Sequence, residues 1–402
     1  MNCKSCKNSL KGEKISFGKN YQSSLFEKNM GSYKKNKKIQ VSLIECKKCN
    51  LIQLYKAINY KRIIPKKKWI INKEEDKHHE NYLQKLLKKK FINKNAKVLF
   101  LSIYDNKFFE FLRKKGFKNL QKLDLRKFLK TNNQDYNRQE FIQNFLNLKT
   151  ARKFFLSEGS FDLIIGSKIL EHTQNIKNFF TFCKNILKKN GFLIIDVPDC
   201  EKSLLQGNIT MPWEEHISYF TTNTLNRTLA LHKFKKINFK KYHYKQENAL
   251  VGLYQNKDRM NKEEIVFKKN KHFDLFKKKI NIFKNNTRKF FKKYSNFSFY
   301  IFGAGHNAVV FFNFLKLSNK NIRIIDDNKN KKNCFFPGSD DRINQSKILS
   351  KLKKNKIILL SVNIEIEKKI ITKIKNFLNK NDKILSIYPD SPRFFLKKKY
   401  VN

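Results

Sequence analysis

Four cysteines in two C-x-x-C pairs, Cys3 with Cys6 and Cys46 with Cys49, carry the most specific chemistry in the chain, whose other cysteines, Cys183, Cys200 and Cys334, stand apart. Two thiolates held on a tight knuckle bind one ion from the same side, and two knuckles close a tetrahedral shell with no position left for a reacting group. The pattern predicts a structural zinc site; two chance pairs or a redox dithiol are the alternatives. Because 39 residues separate Cys6 from Cys46, the stretch Leu10 to Leu43 is expected to carry strands and a loop of its own. A second candidate is Gly303-Ala304-Gly305, a tight turn where Gly303 and Gly305 can cradle a diphosphate at a helix N-terminus while Asp326 or Asp327 meets a ribose. His78 and His79 are adjacent, cannot share one helical face and receive no role.

The elements that must position these residues alternate short apolar runs with amphipathic stretches, the pattern of α/β folds. Strands are expected at Lys97 to Ser102, Leu120 to Leu125, Phe161 to Gly166 and Phe192 to Val197, the last stopped by Pro198. Helices are expected at Lys107 to Lys115, ended by Gly116, and at Ile176 to Lys189, capped by Asn190-Gly191. In the Lys/Phe-rich segment from Lys257 to Lys293, Phe276, Ile280, Phe283 and Phe290 fall on or near one helical face and predict a connecting helix. A second α/β unit follows: strands Phe299 to Phe302, Asn321 to Ile325, Ile357 to Ser361 and Lys383 to Tyr388, with helices Asn307 to Lys316 and Glu365 to Leu378.

At 402 residues the chain has room for two or three domains. The net charge of +55 invites a nucleic-acid reading, but lysine is spread over nearly every segment, with abundant Asn, Ile and Phe, as an AT-rich coding sequence imposes on any protein. Runs such as Lys66-Lys67-Lys68 and Lys88-Lys89-Lys90 read as solvated faces, and the net positive field favours anionic substrates, nucleotide diphosphates included. With no apolar signal region and no run of about 18 apolar residues, the expectation is a soluble, cytoplasmic protein with no membrane partner and no specific nucleic-acid partner.

The stretch Phe161 to Asp199 resembles the central strands of class I S-adenosylmethionine-dependent methyltransferases, with Leu170-Glu171-His172 after a strand, then a helix, a Gly turn and an apolar strand. Trp213-Glu214-Glu215-His216-Ile217-Ser218-Tyr219-Phe220 resembles the Glu-His-x-x-Tyr-Phe block of the nucleotide-sugar C-methyltransferases, which join a four-cysteine zinc domain, a methyltransferase domain and a Rossmann-like domain. Segments 300–315 and 324–338 resemble the third of these. The resemblance implies an α/β fold with a small N-terminal zinc-binding domain (1–60), two Rossmann-like domains (75–256 and 294–402) and a connecting helix (257–293). It implies S-adenosylmethionine as donor, bound by Ser102, Asp124, Ser167 and His172, and a nucleotide-linked keto sugar as acceptor. Tyr219, Gly303, Gly305 and Asp327 would meet the sugar nucleotide, and His216, oriented or assisted by Glu215, would remove the proton beside the keto group. A histidine that merely packs beside a strand is the alternative at 216.

Two departures stand out. Ser102, Tyr104 and Asn106 occupy the places of a Gly-x-Gly-x-Gly turn, where glycine lets the backbone approach the donor, and Trp213 replaces the tyrosine usual three residues before the histidine. The rival readings are a degenerate, non-catalytic sugar-nucleotide-binding homologue and a zinc-containing basic RNA-binding protein.

Overall fold

A computed structural model describes residues 1–65, 67, 69–70, 76–132, 141–260, 270–351 and 355–401. Lys66, Lys68 and the 261–269 part of the segment read as a connecting helix lie outside the described residues. The strands are β1 (Lys14–Asn20), β2 (Ile39–Glu45), β3 (Ile52–Leu54), β4 (Val98–Phe100), β5 (Leu120–Lys122), β6 (Phe161–Ser167), β7 (Leu187–Asp199), β8 (Ser218–Tyr219), β9 (Phe234–Tyr242), β10 (Asn248–Asn256), β11 (Ser298–Phe302), β12 (Ile322–Ile325), β13 (Lys356–Leu360) and β14 (Lys383–Ser386). They form three sheets, ordered β1-β2-β3-β8, β5-β4-β6-β7-β10-β9 and β12-β11-β13-β14.

In the middle sheet β5, β4, β6 and β7 run parallel, and their runs Val98–Phe100 and Leu163–Ile165 are buried on both faces. The antiparallel pair β10 and β9 closes the other edge. The third sheet is parallel throughout and repeats the order of the middle sheet's four parallel strands without its antiparallel edge.

Two boundaries differ from the sequence expectation. The helix from Ile176 ends at Ile186, and β7 begins at Leu187, with Lys188 to Gly191 looping out of register against β6. Pro198 does not stop β7: the β6 pairing ends at Asp196, so at Pro198 only β10 lies alongside and the missing N–H breaks no second ladder.

The N-terminal sheet is not self-contained. Its fourth strand, β8, comes from the Glu-His block, with Ile52 opposite Tyr219, Gln53 opposite Ser218, and the Leu54 N–H donating to the Ile217 carbonyl at 3.0 Å. The helix His272–Lys293 buries Phe276, Ile280, Phe283 and Phe290, the face its spacing predicts. These side chains share one apolar core with Phe17 and Leu43 of the N-terminal sheet and Ile301, Phe311 and Leu359 of the C-terminal unit. Phe17 contacts both Phe276 (6.5 Å between ring centroids) and Phe314 (4.8 Å). Tyr33 donates to the Phe336 carbonyl and accepts from the Gly338 N–H, tying the same two units at their rim.

Because this core is common property, Phe276→Ala is expected to cost about 3–5 kcal/mol. The N-terminal and C-terminal units should then melt together at a lowered midpoint in a denaturation series followed by hydrogen exchange. Loss of protection in one unit alone would contradict the shared core.

Candidate active site

The carboxyl ends of β4, β6 and β7 are tied together by buried polar groups. Asp105 accepts from the Ser102 N–H (2.7 Å) and the Ser167 N–H (2.9 Å), bridging the loops after β4 and β6, and its burial pushes the carboxyl up to about 7. The loop after β4 forms a short 3₁₀ turn, Ile103–Asp105, capped by Ser102, and no residue from 102 to 106 has a positive φ. The backbone here therefore does without the dihedrals a glycine turn supplies. Asp124, at the end of β5, caps the helix Leu125–Leu129 and pairs with Arg126 at 3.2 Å, yet its side chain keeps 42% exposure. That places a half-exposed carboxylate, engaged by Arg126, at the end of this strand.

His78 and His79 correct the sequence reading. They open the helix His78–Lys88, and both rings reach the buried carboxylate of Asp196 on β7, His79 Nε2 at 2.8 Å and His78 Nε2 at 3.4 Å. Adjacent helical side chains diverge, but a carboxylate lying between their two directions receives both. Lys168, with its backbone in the left-handed region (φ 54°), places Nζ 3.4 Å from the other Asp196 oxygen. Burial alone would raise the Asp196 carboxyl, but Lys168 and the two histidines hold it well below the usual carboxylate range. No sequence motif announced this cluster; the signal was two histidines ahead of β4 and an acid inside an apolar strand.

The Glu-His block is clamped from two sides. The Ile217 and Ser218 N–H groups both donate to the Glu171 carbonyl, and His172 Nδ1 donates to the Glu215 carbonyl at 3.1 Å. From the N-terminal unit, Ser23 donates its N–H to Glu214 at 2.5 Å and accepts from Trp213 Nε1 at 3.0 Å. Tyr219 spends its hydroxyl on the Trp213 backbone, accepting at 2.9 Å and donating at 3.1 Å, so it shapes the turn from within the core.

His216 stands in this frame with its ring 4.7 Å from that of His172 and 4.8 Å from the Trp213 indole. Its ring nitrogens make no hydrogen bond to the described residues. Burial, reinforced by His172, His306 and Lys168, lowers its affinity for a proton well below the usual histidine value, so the ring is neutral at pH 7.

The C-terminal unit supplies the facing wall. Gly303 has φ 102°, and a Cβ there would stand 2.6 Å from the Ser361 carbonyl oxygen, so glycine is required where β11 and β13 diverge. Gly305 opens on free space at the head of the helix His306–Phe314. His306 stacks on Trp213 with ring centroids 4.7 Å apart and planes at 18°. Two cavities, each of about 230 Å³, meet at Trp213, Gly305 and His306. One is lined by Lys168, Tyr244, Asn248, Asn307, Ser361 and Tyr388; the other by Ser23, Trp69, Glu215 and Lys331. Asp326, rather than Asp327, faces the glycine turn, accepting from the Ala304 N–H at 2.9 Å and pairing with Lys331. Asp327 is spent on Ser346 and Lys373.

In the N-terminal unit, the four sulfurs of Cys3, Cys6, Cys46 and Cys49 lie within 4.8 Å of one another, and none forms a disulfide. Cys3 to Cys49 is 3.5 Å and Cys6 to Cys46 is 3.6 Å. A tetrahedral ion with metal–sulfur bonds of about 2.3 Å places sulfurs about 3.8 Å apart, so the set fits one ion. The knuckles dock on the helix Thr222–Leu231, where Arg227 donates to the Cys49 carbonyl and Ser5 meets Thr228 at 2.8 Å.

Residues 76–238 match a family described as methyltransferase domain, and residues 245–389 match one described as C-methyltransferase C-terminal domain. Among solved structures, the chain is similar to a putative sarcosine dimethylglycine methyltransferase from Galdieria sulphuraria (13% identity, 45% of this chain and 86% of that one, TM-score 0.31). It is also similar to an S-adenosylmethionine-dependent methyltransferase from Clostridium acetobutylicum (14% identity, 46% and 92%, TM-score 0.30). No curated protein matches the chain. Among the described residues no helix is long and apolar enough to cross a membrane.

Burial pushes both His172 and His306 down to about 4 from an ordinary value of 6.5. The unfolded chain binds these two protons first, so their contribution to stability is complete above 6.5 and drains away as pH falls towards 4. Proton NMR of the two imidazoles should show flat shifts from pH 8 to about 5; titration near 6.5 would contradict the burial.

Proposed function

We propose that this chain, a methyltransferase with a C-methyltransferase C-terminal domain, takes its methyl group from S-adenosylmethionine and places it on a carbon of a nucleotide-linked keto sugar, with His216 as the base. The observation that carries the reading is the state of His216: neutral, held by ring contacts, with nitrogens that no described residue occupies, and in contact with the Trp213 indole that lines both interdomain cavities. When bound, the donor supplies an electrophilic methyl on a sulfonium. A carbon beside a keto group becomes a nucleophile only after losing its proton, and an uncommitted neutral imidazole can receive it.

The remaining groups have compatible tasks. Asp124 and the loop from Ser102, with Ser167 and His172 behind it, offer the donor a site at the strand ends. The open head of the helix at Gly305 offers N–H groups to a diphosphate. The overall charge of +55 draws such an anion in. The four thiolates would hold one structural zinc, which locks the knuckles onto the helix Thr222–Leu231 and takes no part in chemistry.

Turnover of a panel of nucleotide-linked keto sugars with labelled S-adenosylmethionine tests the reading. His216→Asn should lower turnover about 10²-fold or more while donor binding by calorimetry is kept. Full activity in that variant would assign the proton to another group. Metal analysis of the purified protein should find one zinc for each chain. Cys46→Ser should lose the ion and the order of the N-terminal sheet together; an ordered sheet without metal would remove the structural role.

A further inference from the structure

Abstraction of a proton beside a keto group places negative charge on the carbonyl oxygen, and a site that does this needs a hydrogen-bond donor aimed there. The obvious candidates around His216 are spent. The Trp213 N–H goes to Ser23, the Tyr219 hydroxyl to the Trp213 carbonyl, the His172 Nδ1–H to the Glu215 carbonyl, and the Lys168 ammonium lies against Asp196. His306 is different. Its ring makes no hydrogen bond to the described residues, lines both interdomain cavities, and lies against the same indole that His216 touches.

We propose that His306, brought from the C-terminal unit, is a catalytic residue that donates a hydrogen bond to the developing enolate oxygen of the keto substrate. The inference rests on reading the site as a C-methyltransferase. As the first residue of the helix His306–Phe314, the ring sits at the positive end of a helix dipole, which favours the neutral imidazole over the imidazolium. A neutral imidazole polarising a carbonyl from a helix N-terminus has precedent in triosephosphate isomerase.

The electron count is simple. The C–H bond breaks, its proton passes to a His216 ring nitrogen, and its electron pair becomes the C=C bond of the enolate. The carbonyl π pair moves to oxygen, which the His306 N–H holds. On methylation the oxygen pair returns to re-form the carbonyl, the new C–C bond takes the C=C pair, and the pair of the broken S–C bond stays on sulfur. His306 keeps its proton throughout. The chemistry is therefore complete only when the two α/β units face each other, which gives the C-terminal unit a share in catalysis.

The test is washout of deuterium from the carbon beside the keto group, using a thymidine-diphosphate-linked keto-deoxyglucose as probe and S-adenosylhomocysteine in place of the donor. This reads enolisation without methyl transfer. His306→Phe keeps a ring against Trp213 and removes the donor, so washout should slow about 10²- to 10³-fold. His306→Gln loses the stack and keeps an N–H, so it should recover part of the rate. Wild-type washout in the Phe variant, with a slow Gln variant, would reduce His306 to packing and overturn the proposal while leaving His216 in place. Absence of washout in the wild-type protein would overturn the C-methyltransferase reading, and this proposal with it.

Discussion

The structure depends on a two-residue strand. By pairing Ser218 and Tyr219 with Ile52 and Gln53, the chain ends its N-terminal sheet with the segment that carries His216, and so makes the position of an imidazole a consequence of sheet register. Slippage by one residue would turn Tyr219 out of the core and break its two hydrogen bonds to the Trp213 backbone. Ser23, from the same N-terminal unit, fixes the turn from its other end. The thiolate knuckles dock that unit on the middle domain, and the core around Phe276 docks it on the C-terminal one. Three domains thereby converge on Trp213, which is in ring contact with His172, His216 and His306.

Such a chamber is costly to build. Asp196 is a charge with no exposure, and several kcal/mol of desolvation must be offset by its close partners. Lys168, His78 and His79 meet that need from two directions, at the expense of a left-handed backbone at Lys168 of about 1–2 kcal/mol. The other solution in the same layer is neutrality: His172, His216 and His306 lose their charge, and Asp105 is pushed to about 7. Both devices limit the uncompensated charge in this buried layer, where a small developing charge is strongly felt.

The parts of this that local chemistry controls were readable in the chain. The two thiol pairs lie together, as their matched spacing predicted, and the parallel strands formed where apolar runs are too short for helices. Phe276, Ile280, Phe283 and Phe290 declared their buried face by their spacing. What stayed hidden was set by distant partners. Pro198 could continue β7 only because β6 had ended, and Asp327 was claimed by Ser346 and Lys373 from elsewhere in the sheet. His78 and His79 gained a purpose from an acid more than a hundred residues away. His306 followed a glycine turn that spoke only of phosphate, and its stacking on Trp213 is a fact of domain packing that no window of sequence contains.

In the proposed reaction the methyl group ends on carbon. Running the reaction with a donor labelled by carbon-13 in its methyl group, and reading the product by carbon NMR, decides this in one spectrum. A methyl signal in the C-methyl region of the spectrum, well upfield of O- and N-methyl signals, is the predicted result. A label bonded to oxygen or nitrogen would contradict it, because such transfer passes through no enolate.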